Sequence, residues 1–385
     1  MVDALAREFI ALGQNVVVLV PGMKRRFRQA DGALPYRVVR HPRFFSTRWF
    51  VSWYRWFLVR LHRTHRFDIV HCHGVYPAGY LAALCRTRLG VPLVITNHSG
   101  NLESDPAWIG KRGLREKHIY AFASADALIA LSQHTADLTQ RIIPRHPRIV
   151  KIPNGVDLEF FGSPQPHPSK LGDGITPGKY ILVLSRLRHS KGVDLLIRAL
   201  AQLVGIESMS LVVGGTGQEQ QQLKALALQL GVRDRVNFVG WISGTMKAYL
   251  LQNALCAVVP SREPEGFGLV TLESYAAGRP VIASRVPGLS ELISDGHTGL
   301  LFEPDSVESL SHALRALIED RTLADKLGSA GKLFAQSYRW RVVADQHLHL
   351  YRSLCDSRGT SSRSPGVRVL DHDQAAHHHA SLAHS

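Results

Sequence analysis

The run Glu263-Pro-Glu-Gly-Phe-Gly-Leu-Val-Thr-Leu-Glu273 sets two carboxylates, Glu265 and Glu273, around a glycine-bracketed aromatic just where an apolar segment begins. On one continuous helix that spacing would part them by about 12 Å along the axis. A pair of that kind is too wide for the roughly 5–9.5 Å at which two carboxyls act on one glycosidic bond. The two read instead as hydrogen-bond acceptors for separate hydroxyl clusters of one extended ligand, for which a sugar and a ribose joined by a diphosphate would fit. Pro260-Ser261 closes a strand, and Gly266-Phe267-Gly268 leads into a helix stopped by Gly278 and Pro280. Free amides at such a helix start suit an anion or a hydroxyl, and the glycines let it approach.

Two further strand ends carry chemistry. In "LSRLRHSKGVDLL", Arg186 closes a strand and Lys191 opens a helix five residues later, so two cations and a turn at Gly192 can converge on one anion. In "VGGTGQ", Gly214, Gly215 and Gly217 allow backbone to approach a ligand closely. Each signal alone is weak, since glycine turns and surface Arg/Lys pairs are common.

The elements that position these loops are short β-branched runs alternating with helical patterns. "NVVVLVPG", "FDIVHCHG", "PLVITNHSG", "ADALIALS" and "RIVKIPNG" form one series, and "YILVLSRL", "SLVVGG", "RVNFVG", "CAVVPS" and "RPVIAS" a second. Such βα repetition predicts parallel sheets. The fold class is therefore α/β, with two Rossmann-like doubly wound domains facing a cleft. The boundaries are a first domain at 1–160, a Pro/Gly/Ser-rich linker at 161–178, a second domain at 179–338, a helix at 339–356 crossing back to the first domain, and a polar, disordered tail at 357–385.

The composition fits this division: 385 residues, 45% hydrophobic and 20% charged, exceed what one compact core holds. Cys72, Cys85, Cys256 and Cys355 lack metal-ligand spacing and read as reduced thiols. With no apolar run near the roughly 18 residues of a membrane span and no secretory signal order, a cytoplasmic location is expected.

A net charge of +15 calls for an anionic partner. Between Lys24 and Arg66, twelve Lys or Arg face one acid, Asp31, and the stretch also carries Phe44, Phe45, Trp49, Phe50, Trp53, Tyr54, Trp56 and Phe57. Arginines interleaved with aromatics on a helix suit an anionic membrane surface. The alternative is a surface helix with aromatics in the core and arginines in water. No nucleic-acid-binding motif accompanies the charge.

Together, the Arg186/Lys191 pair, "EGFGLVTLE", "GRPVIASRVPGLSELISDGHTGLLFEP" and "IPNGVDLEFF" resemble the retaining GT-B glycosyltransferases of family 4, from the first helix to about Cys355. The resemblance implies transfer of a sugar from a nucleotide diphosphate donor with retained anomeric configuration, no cofactor and no required metal. The one Asp-x-Asp match is Asp371-His372-Asp373, in the tail. By the same resemblance, Arg186 and Lys191 hold the donor diphosphate and Glu273 holds ribose hydroxyls. Glu265, with the amides of Phe267, Gly268 and Leu269 after Gly266, orients the donor sugar and the distal phosphate. His98, in "ITNHSGNL", contacts that sugar; its alternative role is to cap the loop. The leaving phosphate takes the acceptor proton, so no general base is assigned. The acceptor is expected to be a lipid-linked glycan or a polysaccharide at the inner face of the membrane.

Family members begin with a strand and a Gly-Gly loop before "VDALAREFIALGQ", whereas this chain starts at that helix, so a first strand is expected to be missing. Two rival readings are a nucleotide-sugar epimerase and a non-catalytic, membrane-associated sugar-nucleotide-binding module.

Overall fold

The computed structural model describes residues 1–21, 34–41, 48–99, 112–146, 148–168, 171, 175–206 and 208–357. The expectations placed on Lys24, Arg25, Arg26, Arg28, Arg43, Phe44, Phe45 and the tail from 358 onward lie outside them.

Twelve parallel strands form three sheets among the described residues. β1 (Val17–Pro21) pairs with β2 (Arg37–His41). β3 (Val70–His73), β4 (Leu93–Asn97), β5 (Ala127–Ala130) and β6 (Ile149–Lys151) lie side by side in chain order. β7 (Tyr180–Leu184), β8 (Ser210–Gly214), β9 (Val236–Gly240), β10 (Cys256–Val259), β11 (Val281–Ser284) and β12 (Gly299–Phe302) take the order 12-11-10-7-8-9.

β7 shows why its sheet is covered on both sides. Ile181 and Val183 point into one core with Leu196 and Leu200, while Tyr180 and Leu182 point into another with Leu272 and Tyr275. A strand apolar on both faces is stable only inside a parallel sheet layered by helices. Burying each of these aliphatic side chains contributes about 1.5–3 kcal/mol.

The helix Trp340–Asp356 covers one face of the four-stranded sheet, setting Val343, Leu350, Tyr351 and Leu354 on Val94, Ala127, Ile129 and Ile152. His71 on β3 ties it down, hydrogen-bonding Tyr351 Oη at 2.6 Å and Thr96 Oγ1 at 2.7 Å. The other face of that sheet is covered in part by Tyr54 and Leu58 of the helix Arg48–His65.

The basic, aromatic stretch is not one helix. β2 occupies Arg37–His41, and helix begins at Arg48. The sequence reading also missed β12, whose Gly-Leu-Leu-Phe shows no alternation. Both strands end their sheets, where a short segment needs little pattern of its own. Among the described residues, no helix is long and apolar enough to cross a membrane.

Candidate functional site

Along the six-stranded sheet, the chain runs outward through β7, β8 and β9, then returns to place β10, β11 and β12 on the other side of β7. The order reverses between β7 and β10, and a crevice forms beyond their carboxyl ends, because the following loops part in opposite directions. A cavity of about 500 Å³ opens there. From the second domain it is lined by Ser185, Arg186, Lys191, Ser261, Glu265, Gly266, Phe267, Gly268 and Leu269, and from the first by His98, Leu131 and Asn154. Eight of the ten residues expected at the site therefore meet in one place.

Glu265 and Lys191 bond each other across it. Lys191 Nζ donates to Glu265 Oε1 at 2.5 Å, with both side chains mostly enclosed. Ser261 Oγ donates to the same oxygen. Lys191 ends a single 3₁₀ turn, and Gly192 follows at φ +63°, where a Cβ would lie 1.9 Å from Pro260 O. Only glycine allows the β7 and β10 loops to come this close. Arg262 fastens the same two loops. Its guanidinium forms paired bonds to Asp194 at 2.7 and 2.8 Å and donates to His189 O at 2.8 Å. Burial alone would raise the Asp194 carboxyl, but Arg262 holds it below its ordinary value. Arg186 lies exposed on the cavity wall and forms no ion pair among the described residues.

Gly215 and Glu273 are not among the residues that line the cavity. At φ +133°, a Cβ on Gly215 would sit 1.8 Å from Ser185 O, and one on Gly217 would sit 2.1 Å from Leu187 O. These glycines make room for the loop that carries Arg186. Glu273 lies on the helix Leu269–Ala276 and pairs with Lys247, whose ammonium also sits 5.8 Å from the Phe161 ring centroid. Burial raises the Glu273 carboxyl, and Lys247 opposes that shift. Phe267 lines the cavity while buried in the core, 6.1 Å from the Tyr338 ring.

His98 reaches the cavity from the loop after β4, with its Nε2 buried and without a hydrogen-bond partner among the described residues. It stacks on His73 at 5.7 Å, and His73 lies 4.2 Å from His71, which lies 5.6 Å from His347. Burial lowers these imidazoles, to about 3 for His73 and about 4 for His98 and His347. All are therefore neutral near pH 7, which suits His98 to hydrogen-bond a hydroxyl. The unfolded chain, with histidines near 6.5, binds more protons than the native state between pH 6.5 and 4. Stability is thus present in full above about pH 6.5 and falls as the pH drops toward 4, by a few kcal/mol on the order of one or two such shifts. Urea midpoints at pH 7, 5.5 and 4.5 should fall in that order; a flat series would show that the imidazoles gain protons without cost to the fold.

Sequence reading missed Lys247, Arg262 and Asp194. Asp194 and Lys247 show only a charge beside apolar residues, Arg262 lies in a polar run, and their partners lie far along the chain.

A model of the Glycosyltransferase Family 4 matches residues 1–160, and a model described as Glycosyl transferases group 1 matches residues 174–334. A glycogen synthase of Mycobacterium tuberculosis is 30% identical over 316 residues, 80% of this chain and 74% of that protein. An uncharacterized glycosyltransferase of Methanocaldococcus jannaschii is 26% identical over 373 residues, 92% of this chain and 94% of that protein. The crystal structure of Anabaena HepE in complex with UDP-glucose superposes with a TM-score of 0.76 at 23% identity, covering 91% of this chain and 96% of that one.

Proposed function

Because the chain belongs to the family 4 glycosyltransferases of GT-B fold, we propose that it transfers a sugar from a nucleoside diphosphate donor with retained anomeric configuration and no metal ion. The observation that carries this reading is the meeting of Arg186, Lys191, Glu265 and His98 around one cavity at the sheet's reversal point. Solved relatives of the same fold hold UDP and UDP-glucose.

In this reading, the donor diphosphate enters between Arg186 and Lys191. Lys191 leaves Glu265 for a phosphate oxygen, which frees the carboxylate to accept from sugar hydroxyls. The bond from the sugar's anomeric carbon to the phosphate oxygen breaks, and a bond from that carbon to the acceptor oxygen forms. The acceptor proton passes to the leaving phosphate, whose charge the two fixed cations stabilise in place of a metal. His98 supplies a neutral hydrogen bond to the sugar, and Glu273 holds the ribose.

A panel of UDP-, GDP- and ADP-sugars tests the reading, since a ligand that binds only the folded chain raises its melting temperature. One donor class should stabilise the protein and be consumed at the same rate with and without EDTA. Loss of turnover in EDTA with recovery on Mg²⁺ would overturn the metal-free mechanism. Interconversion of the free nucleotide sugar without transfer would indicate an epimerase.

For the acceptor, we propose a lipid-linked glycan reached from an anionic membrane surface. The helix Arg48–His65 supports this with an exposed stripe of Trp56, Arg60 and Arg63, in which the Arg60 guanidinium lies 5.6 Å from the Trp56 ring centroid. Arg55 is not part of the stripe, because its Nε is buried. Each basic residue near such a surface contributes about 1 kcal/mol and is screened by salt. Co-sedimentation should therefore rise with anionic lipid and weaken in the triple variant Trp56→Ala, Arg60→Gln, Arg63→Gln. Equal sedimentation with neutral vesicles would leave the stripe as a solvated surface.

A further inference from the structure

The loop that carries Glu265 is bonded to the first domain as well as to its own. Ser132, which follows β5 and caps the next helix, donates from Oγ to Gly266 O at 3.0 Å. The helix Gln133–Ile142 starts at the next residue, and its first two amides meet a side chain of the second domain: Gln133 N donates to Glu291 Oε2 at 2.6 Å and His134 N to Glu291 Oε1 at 2.9 Å. Those amides have no partner within their own helix, and they carry the positive end of its dipole, so a carboxylate is the group they favour. The segment that bears Glu291 in turn touches the Glu265 backbone, where Glu265 N donates to Pro287 O at 3.0 Å. A Cβ on Gly288 would lie 1.9 Å from Glu265 O.

We propose that Ser132 and Glu291 are positioning residues, forming a clasp that holds the Glu265–Gly268 loop in register with His98 across the cleft. The proposal deepens the transferase reading and rests on it for its kinetic part. Arg186, Lys191 and Glu265 all belong to the second domain, so loosening the clasp leaves nucleotide binding intact. What it disturbs is the alignment of the second-domain groups with those of the first domain. Leu131, beside the clasp, packs into the second-domain core with Phe267 and Leu289, so the domains stay in contact when the polar bonds are lost.

The test uses the full chain with Glu291→Gln, which keeps the shape of an exposed residue, and with the double variant Ser132→Ala, Glu291→Ala. Dyes on T87C and D325C, exposed sites one in each domain, report the interdomain distance, and the four native cysteines are buried from the label. Both variants should broaden or lengthen that distance. The dissociation constants of UDP, GDP and ADP should stay within about twofold of wild type. Release of nucleotide from the matching sugar donor should slow about tenfold, the change expected when one charge-assisted bond is lost. An unchanged distance distribution overturns the clasp, as does a loss of nucleotide affinity as large as that in Lys191→Ala, which would make the contacts part of the donor site. If wild type bound none of the three nucleotides, the transferase reading would fail, while the distance measurement would still decide the clasp.

Discussion

Lys191→Ala is expected to slow sugar transfer about a hundredfold, matching a loss of about 3 kcal/mol of charge stabilisation on the leaving diphosphate. Arg186→Ala should act in the same direction, and the two differ in a way the geometry sets. Arg186 forms no ion pair among the described residues, so under the proposed mechanism its removal takes away a phosphate contact and little else. Lys191 is bonded to Glu265, and its removal leaves that carboxylate with Ser261 as its side-chain partner, beside the place an anionic donor enters. Lys191→Ala should therefore weaken nucleoside diphosphate binding more than Arg186→Ala does. Adding Glu265→Gln to it should recover part of that binding without recovering turnover. Steady-state kinetics with calorimetric binding of the diphosphate would read both effects. Wild-type constants in both single variants would remove these cations from the mechanism.

Gly215→Ala should cost stability on the order of 3 kcal/mol. The residue combines φ +133° with a Cβ position 1.8 Å from Ser185 O, so either β8 or the Arg186 loop has to move. Gly231 separates the two causes. It also has a positive φ, +70°, but has nothing within 4 Å of a Cβ. Gly231→Ala should thus cost only the left-handed strain, about 1–2 kcal/mol. Equal urea midpoints for the two variants would mean that the Gly215 site gives way freely and that the Arg186 loop is not seated on it. A larger loss at Gly215 should come with weakened nucleotide binding, since Arg186 moves with its loop.

The parallel sheets were legible in the sequence because buried strands announce themselves. Runs such as Tyr180–Leu184 and the first four residues of Leu93–Asn97 are apolar or β-branched on both faces, and few other structures accommodate that pattern. β2 and β12 were not legible, since a strand at a sheet's end is held by one neighbour and carries little pattern. In the site, the loop residues 265–269 and the Arg186/Lys191 pair could be read because glycines and charges stand out at strand ends. What could not be read is which groups neutralise one another. Lys247 with Glu273, Arg262 with Asp194 and Glu291 with the Gln133 helix are joined across distances that a linear pattern does not encode. The glycines of "VGGTGQ" show the same limit from the other side. A missing side chain signals that something comes close, but the sequence does not say whether that is a ligand or the chain itself.

The helix Trp340–Asp356 has a consequence for how the molecule is made. It lays Val343, Leu350, Tyr351 and Leu354 over Val94, Ala127, Ile129 and Ile152, residues that leave the ribosome long before it does. At about 5–20 residues per second, one face of the four-stranded sheet waits roughly 10–40 s for its cover. In that interval the second domain, whose two cores draw on residues up to Leu327 and Ala335, is itself still emerging. The first domain is thus begun first and finished last, and a nascent chain stalled before Trp340 would present a bare apolar sheet to the chaperones around it.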